Sequence, residues 1–122
     1  MNSDEANKKF LKELKSGTVS LVLLGILEGS DEPMYGYQIT KEIDPELLDI
    51  KQGALYPVLR SLERSGLLSS AVEPSTTGPP RRYYRITETG RETLASWRSA
   101  WENTTRLVDS VLKGTRDVEE NR

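Results

Sequence analysis

The first part of the chain carries apolar residues at helical spacing. In residues 5–15 they recur on one side among lysines, which predicts a short amphipathic helix. Ser16 and Gly17 predict a break in that helix. Residues 18–28 are apolar on almost every side, which predicts a second helix that is central and buried.

Two further helices are predicted downstream. Residues 35–44 have apolar side chains on one side and end before Pro45, which cannot continue a helix. The next helix is predicted over residues 52–66 and is closed by Gly66. Pro57 would lie within or just past its first turn, where a missing N–H does least harm. The positions predicted to face the core are Leu55, Leu59 and Leu62.

The pattern then changes to that of strands. Residues 67–72 and 81–86 form two six-residue runs rich in β-branched and aromatic side chains. The loop between them, residues 73–80, is too long for a tight two-residue turn. These residues predict a β-hairpin.

A long helix is predicted after the hairpin, from about residue 88 to 113. Thr89 and Glu92 fit a capping box, and Thr87 is a competing N-cap. Gly114 is predicted to end the helix.

This order of elements predicts a mainly α chain with a small β-hairpin, arranged as a winged helix-turn-helix plus a long C-terminal helix. We expect one compact domain overall. Residues 1–86 would form the DNA-binding unit with its extra N-terminal helix, and residues 87–114 a dimerisation helix. Residues 115–122 would be a flexible tail.

Composition narrows the possible functions. The 122 residues contain no histidine and no cysteine, the side chains that zinc and iron sites and nucleophilic triads favour. We therefore expect no enzyme, metal or cofactor. The longest apolar run is interrupted by Ser20 and Gly25, and the first ten residues are polar, so neither a membrane span nor a signal peptide is predicted. Together with the missing cysteines, this predicts a cytoplasmic protein.

The net charge of −2 hides a segregation. Residues 1–50 hold five Lys and Arg against ten Asp and Glu, and residues 87–122 hold six against seven. Residues 51–86 hold six against two, a local charge of +4. A positive face between acidic flanks favours a polyanionic partner, although a solvated charged face would have the same composition.

Three stretches carry a family resemblance: YGYQI at 35–39, GALYPVLRSLERSGLL at 53–68 and RRYYRITETG at 81–90. In this order and spacing they resemble the PadR family of transcriptional regulators, in the short subfamily and similar to its multidrug-binding type. The resemblance implies a homodimeric, ligand-responsive repressor of a palindromic promoter site. Double-stranded DNA, a second copy of the chain and a small aromatic effector are the partners it implies.

The third of these compact helices should enter the major groove, and the hairpin should be the wing along the DNA backbone. With Tyr84 and Ile86 packed inward, Arg81 would point out, and Arg82 would face inward near the wing tip. Glu63 and Arg64 are interpreted as solvent residues or an intrahelical pair. The predicted DNA-binding residues are Tyr37, Lys41, Lys51, Gln52, Ala54, Tyr56, Pro57, Arg60, Arg81 and Arg82. Tyr56 and Pro57 could instead only pack the entrance of the helix.

The last helix has apolar residues at alternating spacings of three and four, a seam typical of helix pairing. A homodimer would cover it. The predicted interface residues are Phe10, Leu14, Leu94, Trp97, Trp101, Val108, Val111 and Leu112. Trp97 and Trp101 are also the predicted ligand-binding residues, because Trp101 matches a position where multidrug-binding family members carry a tryptophan that stacks flat ligands.

Two other classes remain open. A winged-helix module that binds protein would use the same fold, and its basic helix and wing would then be incidental. Clustered Lys51, Arg60, Arg81 and Arg82 favour DNA instead. An enzyme is the third reading, and the chain lacks a Gly-rich phosphate loop, a nucleophile–base pair and metal-ligand spacing.

Overall fold

The computed structural model describes the backbone of residues 2–120 and the side chains of residues 2–114. It opens with one long helix, α1, over Ser3–Glu28. The carboxamide of Asn2 caps it by accepting a hydrogen bond from the backbone N–H of Glu5 at 2.9 Å. Acidic Asp4 and Glu5 in the first turn complement the positive end of the helix dipole.

The predicted break within this segment is wrong, because α1 runs through Ser16 and Gly17 without interruption. One glycine in a helix costs only about 1 kcal/mol relative to alanine, which flanking turns can offset. The Thr18 hydroxyl donates to the carbonyl of Leu14 at 2.8 Å and follows the helical path. The two predicted N-terminal helices are therefore one.

The helix-turn-helix follows. A two-residue strand, β1 (Met34–Tyr35), leads directly into the short helix α2 (Gly36–Lys41). The next helix, α3, spans Gln52–Arg64. Gly66 follows it with a φ of 81°, the left-handed conformation that glycine adopts without strain, as predicted for the helix end.

Pro57 is the sixth residue of α3, one turn deeper than the position where a missing N–H is harmless. Its ring leaves the carbonyl of Gly53 without its usual helical partner. Gly53 is exposed, so water can satisfy that carbonyl.

The predicted hairpin is confirmed as β2 (Leu68–Glu73) and β3 (Arg81–Ile86), which pair antiparallel. The strand β1 pairs with the other edge of β3, so the sheet has three strands in the order β1-β3-β2. The sequence had placed residue 35 in a helix and had not predicted this third strand.

The last helix, α4, spans Glu88–Glu120. Thr87 is its N-cap, because its hydroxyl oxygen accepts a hydrogen bond from the N–H of Gly90 at 2.9 Å. The alternative cap at Thr89 is thus excluded. Gly114 does not end the helix, and residues 115–120, predicted as tail, continue it; residues 121–122 lie outside the described residues.

The elements share one apolar core that every helix and the sheet contribute to. With α1 behind, α3 in front and the sheet beside them, this is the predicted winged helix-turn-helix with a long C-terminal helix. The buried core residues are Leu23, Leu24, Leu27, Ile39, Leu55, Leu59, Leu62, Leu67, Leu68, Tyr84, Ile86 and Leu94.

The end of α3 is fastened to the start of α4 at what we call the α3–α4 joint, formed by Gly66, Leu67, Thr87 and Gly90. The Thr87 hydroxyl donates to the carbonyl of Gly66 at 2.7 Å, and the Thr87 N–H donates to the carbonyl of Leu67 at 3.0 Å. Gly90 lies against that same Leu67 carbonyl. A shift of α4 therefore acts directly on the last turn of α3.

Two segments project from this body. Residues 2–14 of α1 and its cap are exposed throughout, as are residues 98–114 of α4 apart from half-buried Thr105. Among the residues that the structure describes, no helix is long and apolar enough to cross a membrane.

Candidate nucleic-acid interface

The exposed side of α3 presents a single stripe. Gly53, Pro57, Arg60 and Arg64 recur at intervals of four, three and four residues and are all exposed, which places them on one helical face. Pro57 and Arg60 were predicted on this face. Arg64 was not, and its guanidinium shares the stripe with that of Arg60.

Gln52 and Tyr56 lie on a flank of α3 rather than on the open stripe. Both are half-buried, and the Gln52 side-chain amide donates to the Tyr56 hydroxyl at 2.8 Å. The Tyr56 ring packs against α2 so closely that a β-carbon at Gly36 would lie 2.6 Å from its Cε1. Tyr56 therefore joins α2 to α3, whatever its hydroxyl also contacts.

Ala54 and Lys51 face another direction. Both line a groove of about 380 Å³ between the start of α3 and α1, together with Val19, Ile50 and Val58. Both side chains are exposed. The structure thus separates these two predicted DNA contacts from the stripe that carries Arg60.

The wing follows the predicted alternation. Tyr84 and Ile86 are buried with Leu68, so the even-numbered positions of β3 face the helices. Arg82 shares this orientation. Its Nη1 donates to the Ser70 hydroxyl at 2.9 Å, and that hydroxyl donates to both carboxylate oxygens of Glu63 at 2.8 Å.

Glu63 is therefore not the solvent residue or intrahelical partner of Arg64 that the sequence suggested. Its carboxylate is half-buried and ties the last turns of α3 to β2. The Arg82–Ser70–Glu63 relay depends on the hairpin register, in which Ser70 lies opposite Tyr84 and Val72 opposite Arg82.

Arg81 faces the other side of the sheet and stacks on an aromatic ring. Its Cζ lies 4.4 Å from the ring centroid of Tyr35, within the range of a cation–π contact. The ring of Tyr35 also meets Tyr83 edge-on at 5.4 Å. Tyr35 is a residue that the sequence reasoning missed, since it only follows from the pairing of β1 with β3.

The same row of rings continues onto α2. Tyr37 stacks on Tyr35 with centroids 6.5 Å apart, and the Nζ of Lys41 lies 4.8 Å from the Tyr37 centroid. Tyr37 and Lys41 are exposed, as predicted for phosphate contacts. Alternating cations and rings thus connect the base of the wing with α2.

One titratable group lies beneath this surface. Burial raises the pKa of the Tyr84 phenol, and the nearby positive charges of Arg82 and Arg60 oppose that effect. The phenol therefore stays neutral below the usual tyrosine range. Among the described residues, no group of histidine, cysteine or acidic side chains could hold a metal ion.

The predicted ligand residues lie elsewhere, in a groove between α1 and α4. This groove has a volume of about 530 Å³, within the size range of sites for drug-like molecules. Trp97 is half-buried against the core, whereas Trp101 is 45% exposed. The lining residues from α1 include Leu14, Gly17, Thr18 and Leu21.

The predicted interface residues divide in two. Leu94 is buried in the core of its own chain, with 5% of its surface exposed, so it leaves the interface set. The exposed members are Phe10, Leu14, Trp101, Val108, Val111 and Leu112, to which the structure adds Leu11 and Leu107. They lie on the two projecting segments of α1 and α4.

Comparison with known proteins assigns the fold to a family. Residues 23–96 match the transcriptional regulator PadR-like family. A transcriptional regulator of Mycobacterium tuberculosis is 34% identical over 98 residues, which cover 80% of this chain and 89% of that protein.

Solved structures agree with this match. A PadR family transcriptional regulator from Eggerthella lenta superposes with a TM-score of 0.76 at 32% identity, covering 89% of this chain and 94% of that one. A PadR-like transcriptional regulator from Bacillus cereus gives a TM-score of 0.68 at 27% identity, covering 82% and 96%. The chain belongs to the PadR-like family of transcriptional regulators, and it is not an enzyme.

Proposed function

We propose that the chain acts in the cytoplasm as a homodimeric repressor that binds a palindromic promoter site and is released by a small aromatic ligand. The observation that carries the DNA-binding part is the exposed stripe of α3, with Arg60 at its centre and the wing beside it. Pro57 and the glycine before it keep the front of the stripe low, which suits close approach to base edges.

The predicted contacts then take separate roles. Arg60 would reach a guanine or a phosphate, and Pro57 a thymine methyl group. Gln52 can reach a base only by turning its amide away from Tyr56. Tyr37 and Lys41 on α2, and Arg81 on the wing, would hold phosphates and so set the position of α3 without reading sequence.

The dimer is supported by the projecting segments. Phe10 is 59% exposed, Leu112 60% and Val108 46%, a stripe of apolar surface that one chain leaves in water. A second copy, packed α4 against α1, would cover it and would place two copies of α3 at a fixed spacing. Two symmetric reading helices require a palindromic site.

The groove between α1 and α4 supports the ligand part of the proposal. Trp97 forms an apolar wall, and exposed Trp101 offers a flat ring on which an aromatic molecule can stack. Because α4 begins at the α3–α4 joint, a ligand that spreads α1 and α4 would alter the position of α3.

A gel-shift titration of the full chain against the DNA upstream of its own gene, at two salt concentrations, tests the DNA-binding part. Arg60→Ala should weaken binding, with a larger loss on the operator than on random duplex if Arg60 reads a base. Equal loss on both reassigns Arg60 to a phosphate. Absence of salt-sensitive binding to any duplex would favour the protein-binding module instead.

A further inference from the structure

We propose that Arg60, Arg64 and Arg82 form a cleft that binds one phosphate of the DNA backbone, with Glu63 and Ser70 as its positioning residues. This inference rests on the proposed function. It adds a contact at the junction of α3 and the wing, where Arg64, Glu63 and Ser70 had no assigned role.

The cleft is a groove of about 330 Å³ between the last turns of α3 and the start of β3. Arg60, Glu63, Arg64 and Arg82 line it. Its charges are three guanidinium groups against one carboxylate. Among the described residues the salt bridges join Lys9 to Glu13 and Arg91 to Glu28, so no carboxylate there neutralises the three arginines.

The single carboxylate in the cleft is already engaged. Both oxygens of Glu63 accept the hydrogen of the Ser70 hydroxyl, and the oxygen of that hydroxyl accepts from Arg82. Arg82 uses one of its five N–H donors in this relay. The relay fixes the guanidinium of Arg82 and leaves its other donors for an anion, a geometry that suits phosphate.

The position along α3 favours a backbone phosphate over a base. Arg64 is the last residue of α3, and at 1.5 Å per residue it lies about 16 Å along the axis from Gly53. A recognition helix reads bases with its N-terminal turns, so its far end leaves the groove beside the sugar–phosphate chain. The wing meets the same chain there.

A carboxylate on a DNA-facing surface opposes binding, because it repels the phosphates. Glu63 is therefore informative: its cost to affinity is offset by the fixed position of Arg82. This gives Glu63 a signature that a purely structural residue would not have, since removing only its charge should strengthen binding to DNA of any sequence.

The first test compares Arg64→Gln with Arg85→Gln across a salt titration, on operator and random duplex. Arg85 is a matched control, an exposed arginine on the opposite face of β3. Losing one phosphate contact per subunit should lower the slope of log affinity against log salt by about two per dimer, with equal loss on both duplexes. Arg85→Gln should keep the wild-type slope.

The outcomes separate the two proposals. A wild-type protein that binds neither duplex overturns the proposed function and the cleft with it. If the wild type binds and Arg64→Gln matches Arg85→Gln, the cleft alone is wrong. A loss confined to the operator also overturns it, because Arg64 would then read a base.

The second test uses Glu63→Gln, which keeps an acceptor for Ser70 and removes the charge. We expect tighter binding to random duplex and a salt slope steeper by about one per subunit. Weaker binding with an unchanged slope would mean that Glu63 only supports the fold and would overturn its role in the cleft. Ser70→Ala should lower affinity on both duplexes while leaving the slope unchanged, because no charge is lost.

Discussion

Gly90→Ala tests whether the α3–α4 joint is as close as the structure shows. Gly90 is the third residue of α4, and its N–H is bound by the Thr87 cap. A β-carbon there would lie 2.7 Å from Cγ1 of Ile86 and closer still to the carbonyl oxygen of Leu67. The carbonyl belongs to the backbone and cannot rotate away.

Two effects oppose each other in this substitution. Alanine favours the helix by about 1 kcal/mol over glycine. Overpacking of a well-packed site costs about 1–3 kcal/mol, and a clash with backbone belongs at the upper end of that range. We therefore expect a net loss of about 2 kcal/mol, which in a chain of this length lowers Tm by roughly 8 °C.

The assay is thermal and urea unfolding followed by circular dichroism, at one protein concentration so that any association contributes equally. Gly25→Ala is the matched control, since Gly25 is exposed in α1 and its β-carbon would meet nothing within 4 Å. That variant should gain up to about 1 kcal/mol. Equal stabilisation by both substitutions would refute the close approach of α4 to Leu67.

Three further predictions concern the buried phenol and α4. Because burial raises the pKa of Tyr84, the unfolded chain loses this proton at lower pH than the folded one, so stability falls as pH rises above about 10; Tyr84→Phe should lessen that fall in alkaline urea melts, and an identical fall would contradict it. Trp101→Ala should abolish quenching by a planar aromatic dye and leave DNA binding measurable, whereas unchanged quenching would move the ligand site elsewhere. Val108→Asp should weaken self-association by about two orders of magnitude or more, since each copy would bury an unpaired charge; light scattering that still shows a dimer would remove Val108 from the interface.

The sequence predicted best the elements whose signals are local. Three leucines at helical spacing and a closing Gly66 define α3, and the change to strand-like runs defines the hairpin. The inward parity of Tyr84 and Ile86 also follows directly from alternation along β3. These features depend on neighbouring residues, so they can be read without the fold.

Elements set by contacts between distant residues were missed or misplaced. The break at Gly17 and the end at Gly114 are wrong, because a local penalty of about 1 kcal/mol is smaller than the cooperative stability of a long helix. The strand β1 has two residues and no pattern of its own; it exists through pairing with β3. Leu94 fits the seam of α4 by spacing, but the α3–α4 joint brings it into the core.

The same distinction applies to the candidate site. Arg60 could be placed on the open face of α3 by counting from the leucines, and Arg64 shares that count. The role of Glu63 could not be found this way, because it requires the register that brings Ser70 to the end of α3. Tyr35 likewise carries no signal until β1 pairs beside Arg81.

The projecting half of α1 has a consequence for gene control. The exposed run from Ser3 to Leu14 is about 18 Å of helix that finds no cover within its own chain. If only a second copy covers it, the amount of competent regulator rises with the square of chain concentration while copies are scarce. Promoter occupancy would then respond as a threshold to the rate of synthesis, so that a cell could change its response by small changes in expression.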